Sequence, residues 1–216
     1  MDRLWLDAHE YGVRLLRGGS EPWLTPATLG PFYGELAALL QPYRLIVPVA
    51  PLLRANLGDD GDPAALDRIA GSSAFALSLE TGLATLAHGG CAGRLVPMLP
   101  GPVALGCDPD DEDAMDDGVA GLAQVLRALL AMPLSGTILI DEADAAARAA
   151  LGPLHRIADH GGADLRLLHE GLDVTAWDAL EGLAAARDTQ LTIPPDAEPE
   201  AVLAKLAAIR SAEHGS

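Results

Sequence analysis

Aromatic side chains make up only 4% of this 216-residue chain, so any core it forms must be filled by aliphatic groups. Those are plentiful: 50% of the residues are hydrophobic, and a chain of this length buries a sizeable core as one domain more readily than as two. Cysteine is nearly absent. Cys91 and Cys107 are too few for a disulfide framework and form no CxxC pair, which makes a reducing, cytoplasmic setting the simplest expectation. Positive charge is scarce as well, with 14 Lys and Arg, of which only Lys205 is lysine, against 31 Asp and Glu. The formal net charge of −17 sets Coulomb repulsion against nucleic acid and against anionic membranes, and no basic cluster offsets it locally. A neutral or cationic small-molecule ligand stays open. No apolar run approaches the roughly 20 residues that span a bilayer. The segment Met1 to Glu10 already carries Asp2, Arg3, Asp7 and Glu10, leaving no uninterrupted apolar signal region. Phosphate-cradling glycine motifs and the G-x-S-x-G elbow are missing too.

What is present is an alternation of apolar runs and helical patterns. Leu4 to Leu16 reads as amphipathic helix, closed by Gly18-Gly19. A second helix is expected from Thr25-Pro26 to about Leu40, since proline suits a first helical turn. Arg44 to Val49 reads as a strand that Pro48 pushes toward an edge or a bulge. Helix is expected from Pro63 to about His88, with Gly71-Ser72-Ser73 inside it, beginning beside Asp59, Asp60 and Asp62. Strands near Leu95 to Leu99, Thr137 to Ile140, Leu165 to Leu168 and Gln190 to Ile193 then alternate with helices near Glu112 to Leu130, Ala143 to Ala158, Ala176 to Ala186 and Glu198 to Ile209. Such alternation with short Gly- or Pro-bearing turns predicts a parallel sheet covered by helices. The expectation is a single domain over 1–216, with a helical region at 1–42 and a barrel-like β/α core at 43–216. Its fold class is α/β, a shortened TIM-like (β/α) barrel, because an eight-unit barrel usually needs about 250 residues. An open doubly wound parallel sheet is the alternative.

The carboxyl ends of parallel strands are where α/β folds place their sites. There, Thr137-Ile138-Leu139-Ile140 runs into Asp141-Glu142, and Leu165-Arg166-Leu167-Leu168 runs into His169-Glu170. Adjacent carboxylates at a rim can bind an amine, hold a metal, or divide acid and base roles. An imidazole there can shuttle a proton or ligate a metal. Asp141, Glu142 and His169 are therefore the candidate catalytic residues. A competing reading makes Glu142 or Asp144 the cap of the following helix, and leaves His169 satisfied by a neighbouring carbonyl or carboxylate. The run from Asp108 to Asp113 fails as an EF-hand, because Asp113 and Val119 stand where glycine and glutamate are required. His155 and His160, five apart, do not share the i, i+4 spacing of paired ligands.

Pro97-Met98-Leu99-Pro100-Gly101-Pro102-Val103, Ile140-Asp141-Glu142-Ala143 and the histidine after the next apolar run resemble successive strand ends of the catalytic barrel of cobalamin-independent methionine synthase. That barrel belongs to a wider group with uroporphyrinogen decarboxylase and corrinoid-linked methyltransferases. The likeness spans roughly Leu95 to Ile209. It implies a barrel protein that binds a small molecule at its strand ends, with one-carbon or methyl transfer as the reaction, and it places the substrate amino group on Asp141. Gly101, Pro102, Glu170 and Arg54 complete the expected substrate contacts. The family's zinc would fall on His169 and on two cysteines, but Gly171 and Ala197 occupy the cysteine positions. Without two thiolates zinc is disfavoured as a cofactor. His169 and Cys107 are the weak metal candidates that are left. Two other readings stand beside this one: a non-catalytic relative serving as ligand-binding or partner subunit, alone or as a homo-oligomer, and a metal-free acid/base enzyme of the decarboxylase type.

Overall fold

The computed structural model describes residues 4–57, 65–132, 134–168, 173–177 and 188–214. Within them seven strands form one sheet: β1 (Leu4–Asp7), β2 (Arg44–Pro48), β3 (Leu95–Pro100), β4 (Thr137–Asp141), β5 (Asp164–Leu167), β6 (Asp173–Thr175) and β7 (Thr189–Thr192). Their order is β5-β4-β3-β2-β1-β7-β6, and every neighbouring pair is parallel. The helices are α1 (His9–Arg17), α2 (Leu29–Leu40), α3 (Ala50–Leu57), α4 (Ala65–Ala70), α5 (Ser73–His88), α6 (Glu112–Leu130), α7 (Ala145–Ala150), α8 (Gly152–Gly161) and α9 (Pro199–His214).

From β1 to β5 the chain steps one strand over each time, always in the same direction. The first strand also pairs along its whole length with the last, from Leu4↔Thr189 to Asp7↔Thr192. A doubly wound sheet reverses direction at a switch point; this one does not, and its order is that of a barrel cut between β5 and β6. It is curled. On a flat sheet β5 and β1 would lie four spacings apart, roughly 19 Å. Yet the Arg166 guanidinium of β5 sits 5.6 Å from the centre of the Trp5 ring of β1, and its Nη1 lies 3.0 Å from Asp188, the residue before β7. The sheet is thus a partial barrel with seven described strands, short of a complete eight-unit one.

Side chains alternate between two faces along each strand. On the outer face Leu6, Leu45, Val47, Leu95, Leu99 and Ile140 merge with helix residues such as Leu36, Leu53, Leu83 and Leu122 into the main core. Inside the curl, Trp5, Ile46, Val96, Leu139 and Leu168 form a second cluster, with Met98 packed against it. Burial on both faces explains the continuous apolar strands. Each fully buried Leu or Ile contributes about 1.5–3 kcal/mol.

Several expectations need correction. Leu4–Asp7 is a strand and the helix begins only at His9, because the four residues beside β2 and β7, three of them apolar, gain more from ladder pairing than from one further helical turn. The strand with Pro48 is central and unbulged. Pro48 is its last residue, where a missing donor costs least. The pattern over 63–88 holds two helices, since the Ser72 hydroxyl accepts from Phe75 N–H at 3.3 Å and starts a new one after Gly71. Likewise 143–158 divides into α7 and α8 where Pro153 lacks an amide hydrogen. The expected helix over 176–186 falls almost wholly outside the described residues.

Candidate functional site

All strands being parallel, their carboxyl ends share one rim. Asp141 closes β4 with the parity of Leu139, so it faces the inside of the curl, half-buried. Its neighbour Glu142 takes the opposite direction and is 3% exposed. Glu142 Oε2 accepts from Val103 N–H at 3.1 Å and Oε1 from Asp144 N–H at 2.9 Å, which ties the loop after β3 to the loop after β4. Asp144 then caps α7 by accepting from Ala147 N–H at 2.8 Å. The structure therefore separates the adjacent acids: one carboxylate faces the concavity, while the other has both oxygens engaged by backbone.

Sequence reasoning missed a second acidic group on the inner rim. Asp7 ends β1 with the parity of Trp5, so it lies on the same face as Asp141. Burial raises the Asp7 pKa. The backbone N–H of His9 and the charge of that ring oppose the shift, and the charges of Glu10 and Asp141 add to it. Behind Asp7, His9 is 3% exposed, with Nε2 at 3.0 Å from Glu21 Oε2 and Nδ1 at 2.8 Å from Tyr33 Oη. A carboxylate can only accept, so Nε2–H donates to Glu21, and Nδ1 pairs with the Tyr33 hydroxyl. Desolvation first, and then the charges of Asp7 and Glu21, hold the Tyr33 phenol well above its ordinary pKa, which keeps it a donor. The signal was available in the sequence: Leu4-Trp5-Leu6-Asp7 has the same form as Ile138-Leu139-Ile140-Asp141, an apolar run ending in aspartate. The helical spacing that runs on to Leu16 concealed it.

The other candidates scatter. Gly101 and Pro102 are buried at the end of β3. A Cβ at Gly101 would stand 2.2 Å from Glu142 Oε2 and 2.5 Å from Glu142 Cβ, so the glycine is required by the close approach of the two loops. Arg54 is exposed on the last turn of α3. His169 and Glu170 lie outside the described residues. Cys107 is 2% exposed in a small apolar cluster with Met115 and Ala147. Burial and the charges of Glu142 and Asp117 push its thiol pKa up. That environment opposes the thiolate a zinc site needs, and among the described residues no three His, Cys, Asp or Glu side chains converge as a metal site.

Below the rim the inner face carries two more polar groups. Trp5 and Gln190 are register partners on β1 and β7, 4% and 3% exposed. Among the described residues neither Trp5 Nε1 nor Gln190 Oε1 has a hydrogen-bond partner. At the floor Arg166 holds Asp164 at 2.6 Å and Asp188 at 3.0 Å, closing the curl electrostatically. The concavity thus has a salt-bridged floor, a largely apolar middle and an acidic rim. Among the described residues no helix is long and apolar enough to cross a membrane. Comparison with protein-family models, with curated proteins and with solved structures returned no match.

Proposed function

We propose that this protein binds a small amine-bearing molecule at the carboxyl rim of its curled sheet, with Asp141 and Asp7 facing the ligand's cation. The observation that carries the reading is the convergence of two aspartates on the inner face, near enough that the charge of Asp141 helps raise the pKa of Asp7. A cation between them would relieve that repulsion, and burial would strengthen its attraction to both. The resemblance to methionine synthase barrels supports the same assignment for Asp141 and makes one-carbon or methyl transfer the first reaction to assay. Metal-free acid/base chemistry is the second reading. It is favoured by Asp7, whose raised pKa suits a proton carrier at a rim.

The test is calorimetric titration of a panel of amino acids, thiol-bearing ones included, and of their N-acetyl derivatives. The expected result is a ligand that needs its free amine and loses at least roughly tenfold in affinity with Asp141→Asn, as for a lost charge-assisted bond. Equal binding of the acetylated form, or of the variant, would refute the proposal.

A further inference from the structure

On the opposite side of the sheet, α6 and α8 flank a wide, open groove of about 620 Å³, within the roughly 300–1,000 Å³ range of small-molecule sites. Leu130, Pro153 and Ile157 line it, and Arg127, Arg156 and His160 stand around them. In a chain with more than twice as many acids as bases, no carboxylate among the described residues lines this groove. Neither arginine has an ion pair or hydrogen bond among the described residues. Leu130 and Gly161 also line a second, more enclosed cavity of about 160 Å³, walled by Leu129, Met132, Leu134 and Ile138. In volume that is close to the roughly 150 Å³ of a cavity that accepts benzene, although Gly136, Thr137 and Gly162 also line this one.

Arg127 and His160 lie in the last turns of α6 and α8, where cations answer the helix dipoles. Each helix end carries about half a negative charge, so two guanidinium groups exceed what the ends require. Arg156 also sits a full turn before the end of α8. From this excess charge beside a cavity walled in part by Leu129, Leu130, Met132, Leu134 and Ile138 we infer that the groove binds an organic carboxylate with a short apolar tail, the anion between Arg127 and Arg156 and the tail against those side chains. Gly136 and the first residues of β4 line that cavity, so it lies at the amino ends of the strands. The site is therefore separate from the aspartate rim and stands or falls independently of it.

The experiment is an amide NMR titration with hexanoate, with hexan-1-ol as the neutral analogue and sulfate as the anion without a tail. Saturable shifts confined to residues 127–132 and 153–163 are expected with hexanoate, with the other two probes at least roughly tenfold weaker. The exposed pair Arg127→Gln and Arg156→Gln, which leaves the packed core untouched, reduces hexanoate to the level of the alcohol. In Gly161→Ala the new Cβ would stand 2.8 Å from Leu130 Cδ1 and displace the side chain shared by the two spaces. Preference for hexanoate over sulfate then falls. Sulfate binding as tightly as hexanoate, full hexanoate affinity in the double variant, or no saturable shift at millimolar hexanoate would each overturn the assignment.

Discussion

Replacing Glu142 with alanine tests whether one side chain holds the loops after β3 and β4 together. The wild-type carboxylate accepts two backbone hydrogens, at 3.1 and 2.9 Å, and is 3% exposed. Hydrogen bonds to a charged group contribute about 1.5–3 kcal/mol each. Val103 and Asp144 are only half-buried, so water recovers part of that loss, and removing a buried charge returns some desolvation energy. The net expectation is a destabilisation of about 2–3 kcal/mol. For a chain of this size that lowers Tm by roughly 4–12 °C. Urea unfolding at neutral pH measures it, with the m-value unchanged and exposed Glu112→Ala as a control within about 0.5 kcal/mol of wild type. Gly101→Ala must cost at least as much, since its Cβ would collide with Glu142 Cβ as well as with the movable carboxylate. If Glu142→Ala stays within the range of the control, the carboxylate is no latch and the argument fails.

Two further outcomes follow from the raised pKa values. Folded Asp7 retains its proton above the ordinary aspartate value of 3.8, so stability falls as pH rises from there through the folded pKa, and the whole penalty persists above it. Asp7→Asn is therefore more stable than wild type at pH 7, by a margin that vanishes below about pH 3.8; a margin independent of pH in urea titrations would show that no such proton is held. Cys91 and Cys107 are buried, with thiol pKa values pushed up, so a water-soluble disulfide reagent titrates neither in the native protein and both in urea. Prompt native-state labelling of Cys107 would contradict the packing described for it.

Much of the fold was legible as periodicity. The 3.6-residue pattern placed α6 at the observed Glu112–Leu130, where the Asp111 side chain accepts from Ala114 N–H at 3.1 Å and caps it. The apolar runs located β2, β3, β4, β5 and β7 to within a residue or two. Two strands were missed: β1, because helical spacing runs on from it to Leu16 and conceals its apolar run, and β6, which has only three residues.

Of the candidate site, sequence reasoning located the rim and Asp141 but did not separate Asp141 from Glu142. Two adjacent acids after one strand are equivalent in a sequence. Strand alternation sends the first inward, and the N–H groups of Val103 and Asp144 capture the second.

The order of residues by itself determined that this chain forms a parallel α/β sheet and that acidic groups gather at its carboxyl end, because both follow from local pattern and from the direction of the strands. Only the tertiary structure decided that β1 pairs with β7, that Arg166 reaches Trp5 and Asp188 across the curl, and that Asp7 joins Asp141 on one inner face. Apart from Arg166 with Asp188, which are 22 positions apart, these relations join residues more than a hundred positions apart. They arise from the closure of the sheet, which no local window of the chain encodes.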